Sequence, residues 1–542
     1  MDTATFSPIP TENVEPNHQE EEDQHHYGEQ GRVSSSSSST TSTIIPEVTK
    51  LIGIRDNNKK ETWSSLFFVI FTPLRWFQML ADSVHWSFVI GVVVVYGMSQ
   101  GVGGSLFRVA SDYYWKDVQM IQPSEAQIFS GIINIPWIVK PLWGILTDVL
   151  PIAGYRRRPY FILSGLLGVI PMLILAVGRD MDVSLALILM TAGSAGVAIA
   201  DVTIDACVAE NSINLPVLAA DLQSLCGFSS SVGRLLGFSI SGFLVHKIGS
   251  QGVLGLLSLT AGMVFVVGII LKENPMVDFS YGQINQKIHE ASEKMATTVK
   301  CREVWRPCVY MFISLALSLN IHEGLFFWYT DPNAGPNFSE RAVGFIFSIG
   351  ALGSLCGVLL YQNILKDYSF HTLLFWSQLL FGFSGMLDLI LVLRVNLKFN
   401  IPDYFFVAVD ECVGQMIGRI KWLPLLVLSS RLCPSGIEGT FYALLMSIDN
   451  AGLLASSWLG GLLMKLLNVT RTKFTNLWLA ILVRNLMRLL PLALLHMLPE
   501  NHHQNLHTIN NMDDDDDSRR NVELVSLVGG DHADQSQIVH AQ

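Results

Sequence analysis

An all-α membrane protein, with twelve transmembrane helices as two six-helix bundles, is the fold this sequence predicts. Three observations predict it. The 542-residue chain is 50% hydrophobic and only 15% charged, with a mean hydropathy of +0.39, whereas a typical soluble chain is about 25% charged. Its apolar residues gather into runs long enough for a bilayer core, which takes about 20 residues per helix. A long charged connection near mid-chain divides those runs six and six.

The elements follow in chain order. Residues 1–62 carry Glu20, Glu21, Glu22 and Asp23 and a serine run from Ser34 to Ser39. That composition predicts a disordered tail, placed in the cytoplasm by the orientation below, and its acids count against a cleaved presequence. Within 63–85 the short apolar run Leu66 to Ala81 holds Pro73 and Arg75, which suits an interfacial or re-entrant segment. The first bundle, 86–271, has spans near 86–110, 122–147, 160–178, 184–210, 218–246 and 251–271. A cytoplasmic connecting loop, 272–306, carries Lys272, Lys287, Lys294, Lys300, Arg302 and Arg306. The second bundle, 307–498, has spans near 307–330, 341–363, 371–393, 403–430, 436–464 and 475–498. Residues 499–542, with Asp513 to Asp517, form a second disordered acidic tail. The formal net charge of -11 comes largely from these tails, so it does not describe an acidic binding face.

Basic loops favour the cytoplasm. The connecting loop, the turn with Arg156, Arg157 and Arg158, and the segment before span 1 all fall on one side if both termini are cytoplasmic. The loop with Lys465, Arg471 and Lys473 is an exception. Two Asn-x-Ser/Thr sequons, at Asn337 and Asn468, fall on the other side. Internal duplication has a faint trace: Gly233 and Gly242 in span 5 recur as Gly452 and Gly461 in span 11 at the same spacing. Two such bundles would rock about a midplane site.

Ionisable groups at bilayer depth are costly and mark function. Asp201 and Asp205 lie four apart and therefore on one helix face. Arg234, or Lys140 of span 2, would pair with them. Glu210, Gln223 and Ser224 complete the polar set of the first half. The second half offers Glu323, Asp410, Arg419, Lys421, Asp449 and Arg488, with His322 read as a packed histidine and Arg484 as a structural or snorkelling partner. These thirteen residues, from Lys140 to Arg488, are the candidate substrate or proton pathway. The stretch from Gly144 to Asp148, followed by Arg156, Arg157 and Arg158, supplies an ionic gate rather than a cargo site.

Enzymatic chemistry has no foothold: there is no P-loop, no G-x-S-x-G and no H-E-x-x-H. The seven cysteines form no CxxC pair and read as small apolar residues. No cofactor, metal, nucleic acid or obligate protein partner is expected. Without a nucleotide site, transport driven by an ion or solute gradient remains.

PW-x-x-KP-x-x-G at 136–144 and PI-x-GYRRRPY at 151–160 carry a resemblance. So do AD-x-x-x-DA-x-x-AE at 200–210, LQSLC at 222–226, LPLLVLSSRLCPSGIEGT at 423–440 and LLMSIDNAG at 444–452. In this ordered set the chain resembles the folate–biopterin transporter family of the major facilitator superfamily, and its long acidic tails are similar to those of plant members. Residues 150–153, inserted after Asp148, separate this branch from the usual superfamily loop. Asn211, Gly227 and Arg234 depart from the family pattern and bear on which solute is carried. The resemblance implies a secondary active transporter of folate- or pterin-like solutes that works by alternating access as a proton symporter. A pterin edge offers adjacent N–H donors that Asp201 or Asp205 would accept, while Arg234, Arg419, Lys421 or Arg488 would bind folate carboxylates. Asp205 or Glu323 would exchange the proton. The alternatives are another organic anion or an amino-acid-like solute on the same fold, and a transport-inactive sensor or scaffold. Which membrane holds the chain is left open.

Overall fold

The computed structural model describes residues 75–498, apart from 179, 367, 432–437 and most of 276–299. Both predicted tails, residues 63–74, most of the connecting loop, Cys433 and part of the 423–440 motif lie outside the described residues. Among the described residues there is no strand, only an isolated bridge between Ile152 and Tyr155.

Twelve spans follow one another. They are α1 (Trp86–Val118), α2 (Pro123–Asp148), α3 (Arg158–Val177) and α4 (Val183–Asn214), then α5 and α6, which share the continuous run Ala219–Ile270. After the connection come α7 (Arg302–Ala316 and, past a break, His322–Tyr329), α8 (Glu340–Leu365) and α9 (Phe370–Val392). The chain closes with α10 (Asp403–Arg431), α11 (Glu438–Leu466) and α12 (Leu477–Met497). Eight of the described helices are long and apolar enough to cross a membrane, counting α5 and α6 as one. Gly249 divides that pair: its φ of 74° is a left-handed conformation that only glycine adopts at no steric cost. A helix over 75–84 precedes α1, and its Trp76 Nε1 donates to Asp221 Oδ1 at 2.9 Å, docking it on the start of α5.

Local chemistry explains the boundaries. A capping box of Gln122 and Glu125 with Pro123 starts α2; Asp182, Ser339 and Ser369 cap α4, α8 and α9. Inside α2 the helix is interrupted at Asn134 and again at Val139, just ahead of Pro136 and Pro141, which have no N–H to give. The second interruption starts a new helical segment at Lys140. Two expectations change. Span 1 runs on to Val118, and span 7 is not continuous. Leu319, at φ 42°, breaks it, and the Asn320 N–H bonds to Ser456 of α11 instead of its own helix.

The four repeated glycines seat the helices in matching ways. Gly233 of α5 meets Gly97 and Gly101 of α1, and Gly452 of α11 meets Phe312 and Leu315 of α7, so each first glycine packs within its own half. Gly242 of α5 meets Glu340 and Gly344 of α8, while Gly461 of α11 meets Ser124 and Ile128 of α2, so each second glycine packs across to the other half. A Cβ at Gly461 would lie 2.7 Å from Ile128 Cγ1 and 2.8 Å from Ser124 O. Small residues let backbones approach that closely.

The end of the molecule opposite Asp148 is closed. Tyr113, Tyr114 and Trp115 of α1 cluster there with Phe326, Phe327 and Trp328 of α7. Lys116 Nζ donates to Thr330 O at 3.3 Å, and the Arg471 N–H donates to Gln122 Oε1 at 3.2 Å, both joining one half to the other.

Candidate functional site

A cavity of about 1080 Å³ lies between α1, α2, α4 and α5 on one side and α7, α9, α10 and α11 on the other, and reaches Gly144, Thr147 and Asp148. Its first-half wall is a satisfied charge network. Lys140 Nζ pairs with Asp201 and stands 4.0 Å from Asp205 Oδ2. Gln100 Nε2 donates to Asp201 Oδ1 at 2.6 Å, and the Tyr96 hydroxyl donates to Asp205 Oδ1. The ammonium also lies 5.2 Å from the Trp137 ring centroid. Asp201 is 4% exposed, and a charge that deep is costly to leave without its partners.

The second-half wall differs. Lys421 is 4% exposed, donates to Ser314 O at 3.3 Å and lies 4.4 Å from the Phe381 ring centroid. Asp449 is 5% exposed, with the Trp422 indole as its hydrogen-bonding neighbour. Among the described residues neither Lys421 nor Asp449 makes an ion pair. Asn450 Nδ2 reaches across to Trp137 O at 3.3 Å.

The expected pairing of the α4 acids with Arg234 is corrected: Lys140 takes both. Arg234 makes no ion pair among the described residues, and its carbonyl accepts from Ser105. Gln223 lines the cavity. Ser224 is exposed and bonds back to Ala220 O, and Glu210 is exposed at the end of α4; neither lines the cavity. Arg419 donates to Ser354 Oγ at 2.7 Å and packs on Trp422, between α10 and α8. Arg488 stands behind the wall, 4.2 Å from the Phe381 ring centroid and donating to Ser318 O at 3.3 Å. Asp410, 8% exposed, is buried away from the cavity lining. On α9, Asp388 accepts from Arg484 at 2.7 Å and from the Tyr329 hydroxyl at 3.3 Å, so Arg484 is a structural partner. Glu323 lines a different space, and its neighbour His322 bonds Asp112 Oδ2 at 3.0 Å while stacking on Phe326.

The turn after α2 ties the first half to itself. Arg157 reaches Asp148 Oδ1 at 2.9 Å and Thr147 Oγ1 at 3.3 Å. Arg158 donates to the carbonyls of Gly268 and Ile269 at the end of α6. The backbone N–H groups of Arg156, Arg157 and Arg158 all donate to the Glu273 carboxylate, at 2.6 to 3.1 Å. Sequence reasoning missed Glu273, and also Tyr96, Gln100, Trp137 and Trp422. Tyr96 and Gln100 left a signal: they stand four apart in an apolar run, as the two α4 acids do.

The sequence profile of the BT1 family matches residues 100–520. The chain belongs to the BT1 family. Its relatives include Probable folate-biopterin transporter 2 of Arabidopsis thaliana, 59% identical over 85% of this chain and 94% of that one. Folate-biopterin transporter of Synechocystis sp. is 31% identical over 79% and 85% of the two chains. Among solved structures, the nucleoside transporter NupG superposes with a TM-score of 0.58 at 12% identity, covering 76% of this chain and 98% of that one. The D-xylose-proton symporter gives 0.52 at 14% identity, covering 76% and 97%. This BT1 family member therefore has the major facilitator fold and is an integral multi-pass membrane protein.

Proposed function

We propose that this BT1 family member is a secondary active transporter that carries folate- or pterin-like solutes through the central cavity by alternating access, coupled to protons. The cavity carries the proposal. Its 1080 Å³ exceed the volumes of about 300–1,000 Å³ that hold most small ligands, and its two walls come from different halves of the chain. The Arabidopsis and Synechocystis relatives, named as folate-biopterin transporters, supply the solute class.

Lys421 suits a solute carboxylate, since it is a buried amine that makes no ion pair among the described residues. Asp449 suits an N–H donor of the same solute. The network of Lys140, Asp201 and Asp205 is the coupling element, in which one proton or one solute group alters the balance of three charges. The four matched glycines support a rocking motion of residues 86–271 against 307–498 about the α2–α11 and α5–α8 seams. The Asp148 end is assigned to the cytoplasm, with both termini, because the three arginines of the turn lie there. Asn337 and Asn468 then face the other side.

The test is uptake by vesicles containing the purified full chain, with labelled folate, unlabelled biopterin and amino acids as competitors, and an imposed pH gradient. Accumulation that depends on the gradient, and that biopterin but not amino acids suppresses, supports cargo and coupling together. Uptake of an amino acid in preference to folate overturns the cargo. Equal uptake with and without the gradient overturns the coupling.

A further inference from the structure

The closed end carries one contact that its aromatic cluster does not account for. Asp112 of α1 and Glu323 of α7 are each 1% exposed, and their carboxyl groups are hydrogen-bonded to one another. An ionised carboxylate is an acceptor only, so two of them bond only when a proton lies between them. Out of water and in contact, they do not both ionise without a large cost. The contact joins the two halves of the chain at the end that is shut.

The surroundings position the pair but supply little charge to replace the proton. Arg108 Nε lies 3.7 Å from Asp112 Oδ2, and His322 Nε2 lies 3.0 Å from the same oxygen. Both neighbours thus serve Asp112. Among the described residues Glu323 makes no ion pair, and its backbone N–H donates to Gln127 Oε1 of α2 at 3.1 Å. Tyr113 follows on α1, with Asp117 and Glu340 in its electrostatic reach, and Glu411 of α10 faces His322 and Arg108. The contacts beside the pair hold no carboxyl: Tyr113 meets Phe326 edge-on at 4.9 Å between ring centroids, and Lys116 donates to a backbone carbonyl. A second carboxyl pair, Asp388 with Asp410, lies within the second half alone and has Arg484 as its cation, so it does not straddle the halves.

We infer that Asp112 and Glu323 form a proton-dependent latch on the end opposite Asp148. With one proton between them they hold α1 to α7. Without it, two carboxylates repel across the boundary between the halves and the end opens, the proton passing to the water that enters from that side. The use of the latch in transport rests on the alternating access proposed above, while the latch itself is tested with no solute present.

The experiment is hydrogen–deuterium exchange of the purified full chain, followed in residues 104–118 of α1 and 322–329 of α7, from acid to alkaline pH and corrected for the pH dependence of exchange itself. Closing binds one proton, so linkage makes the ratio of open to shut chains rise by up to about tenfold per pH unit. Wild type is expected to show that slope. Glu323→Gln is expected to abolish it and stay shut, because the glutamine amide donates to Asp112 with no added proton. Glu323→Ala is expected to be open at every pH. A flat wild-type profile overturns the inference. So does a slope that survives in Glu323→Gln and vanishes in His322→Gln, because the histidine then carries the proton. A Glu323→Ala chain as well shut as wild type overturns it too, since the pair then holds nothing closed. The expected exchange profiles together with uptake that ignores a pH gradient support the latch and overturn the coupling proposed above.

Discussion

On the first-half wall of the cavity Lys140, Asp201 and Asp205 are tied to one another and to Tyr96 and Gln100. On the second-half wall Lys421 and Asp449 are as deeply buried as Asp201, yet neither makes an ion pair among the described residues. Both walls bury charges, but among the described residues only the first closes them into ion pairs. A buried charge with its partner removed costs several kcal/mol. The first wall is therefore built to hold its own shape, and the second holds interactions in reserve for something that enters. In a transporter that division is useful: one half keeps the site organised while the other half's affinity depends on occupancy.

Mutations that break this contrast have graded effects. Lys140→Ala has the largest. It strands the buried Asp201 carboxylate and is expected to cost about 3–5 kcal/mol, seen as a large fall in thermal midpoint together with loss of uptake. Adding Asp201→Ala to that variant is expected to recover part of the stability but none of the uptake. Lys421→Ala inverts the pattern: stability holds or rises because an unpaired charge is gone, while solute affinity drops about 10- to 100-fold, the range for a charge-assisted hydrogen bond of roughly 1.5–3 kcal/mol. If its midpoint falls as far as that of Lys140→Ala, the two walls are alike and the contrast is wrong. Gly242→Ala sharpens the picture at the seam. Its Cβ would strike the Glu340 backbone, so an overpacking cost of about 1–3 kcal/mol and slowed uptake with unchanged solute affinity are expected. Glu210→Gln has the smallest effect. The residue is exposed and outside the cavity, so stability within about 0.5 kcal/mol of wild type and normal uptake are expected from the same assays.

The helices were legible in the sequence because a bilayer imposes their length, and the start of almost every span agrees within a few residues. The break in α7 was not. Leu317 to Ile321 contains no proline or glycine; what opens the helix is a tertiary bond from Asn320 to Ser456 of α11. The α4 acids were legible as a pair because their four-residue spacing is a local property. Which cation would meet them was less so, since Lys140 and Arg234 were both in range. The choice depends on helix rotation: Gly233 seats α5 against α1, and the interruption at Val139 starts a new segment at Lys140. Asp410 and Arg419 read as pathway residues because depth along a helix can be estimated from sequence, whereas the side a residue faces within a bundle cannot.

The carboxylate of Glu273 accepts three consecutive backbone N–H groups from the turn between α2 and α3. Glu273 also stands where α6 ends and the chain departs for the second half. The inter-half tether is thus riveted at its origin to the same turn that grips Asp148. Any pull on the chain at Glu273 would therefore be borne first by the turn beside Asp148. Shortening the tether would act as a mechanical brake on opening, with no change to any residue that touches cargo.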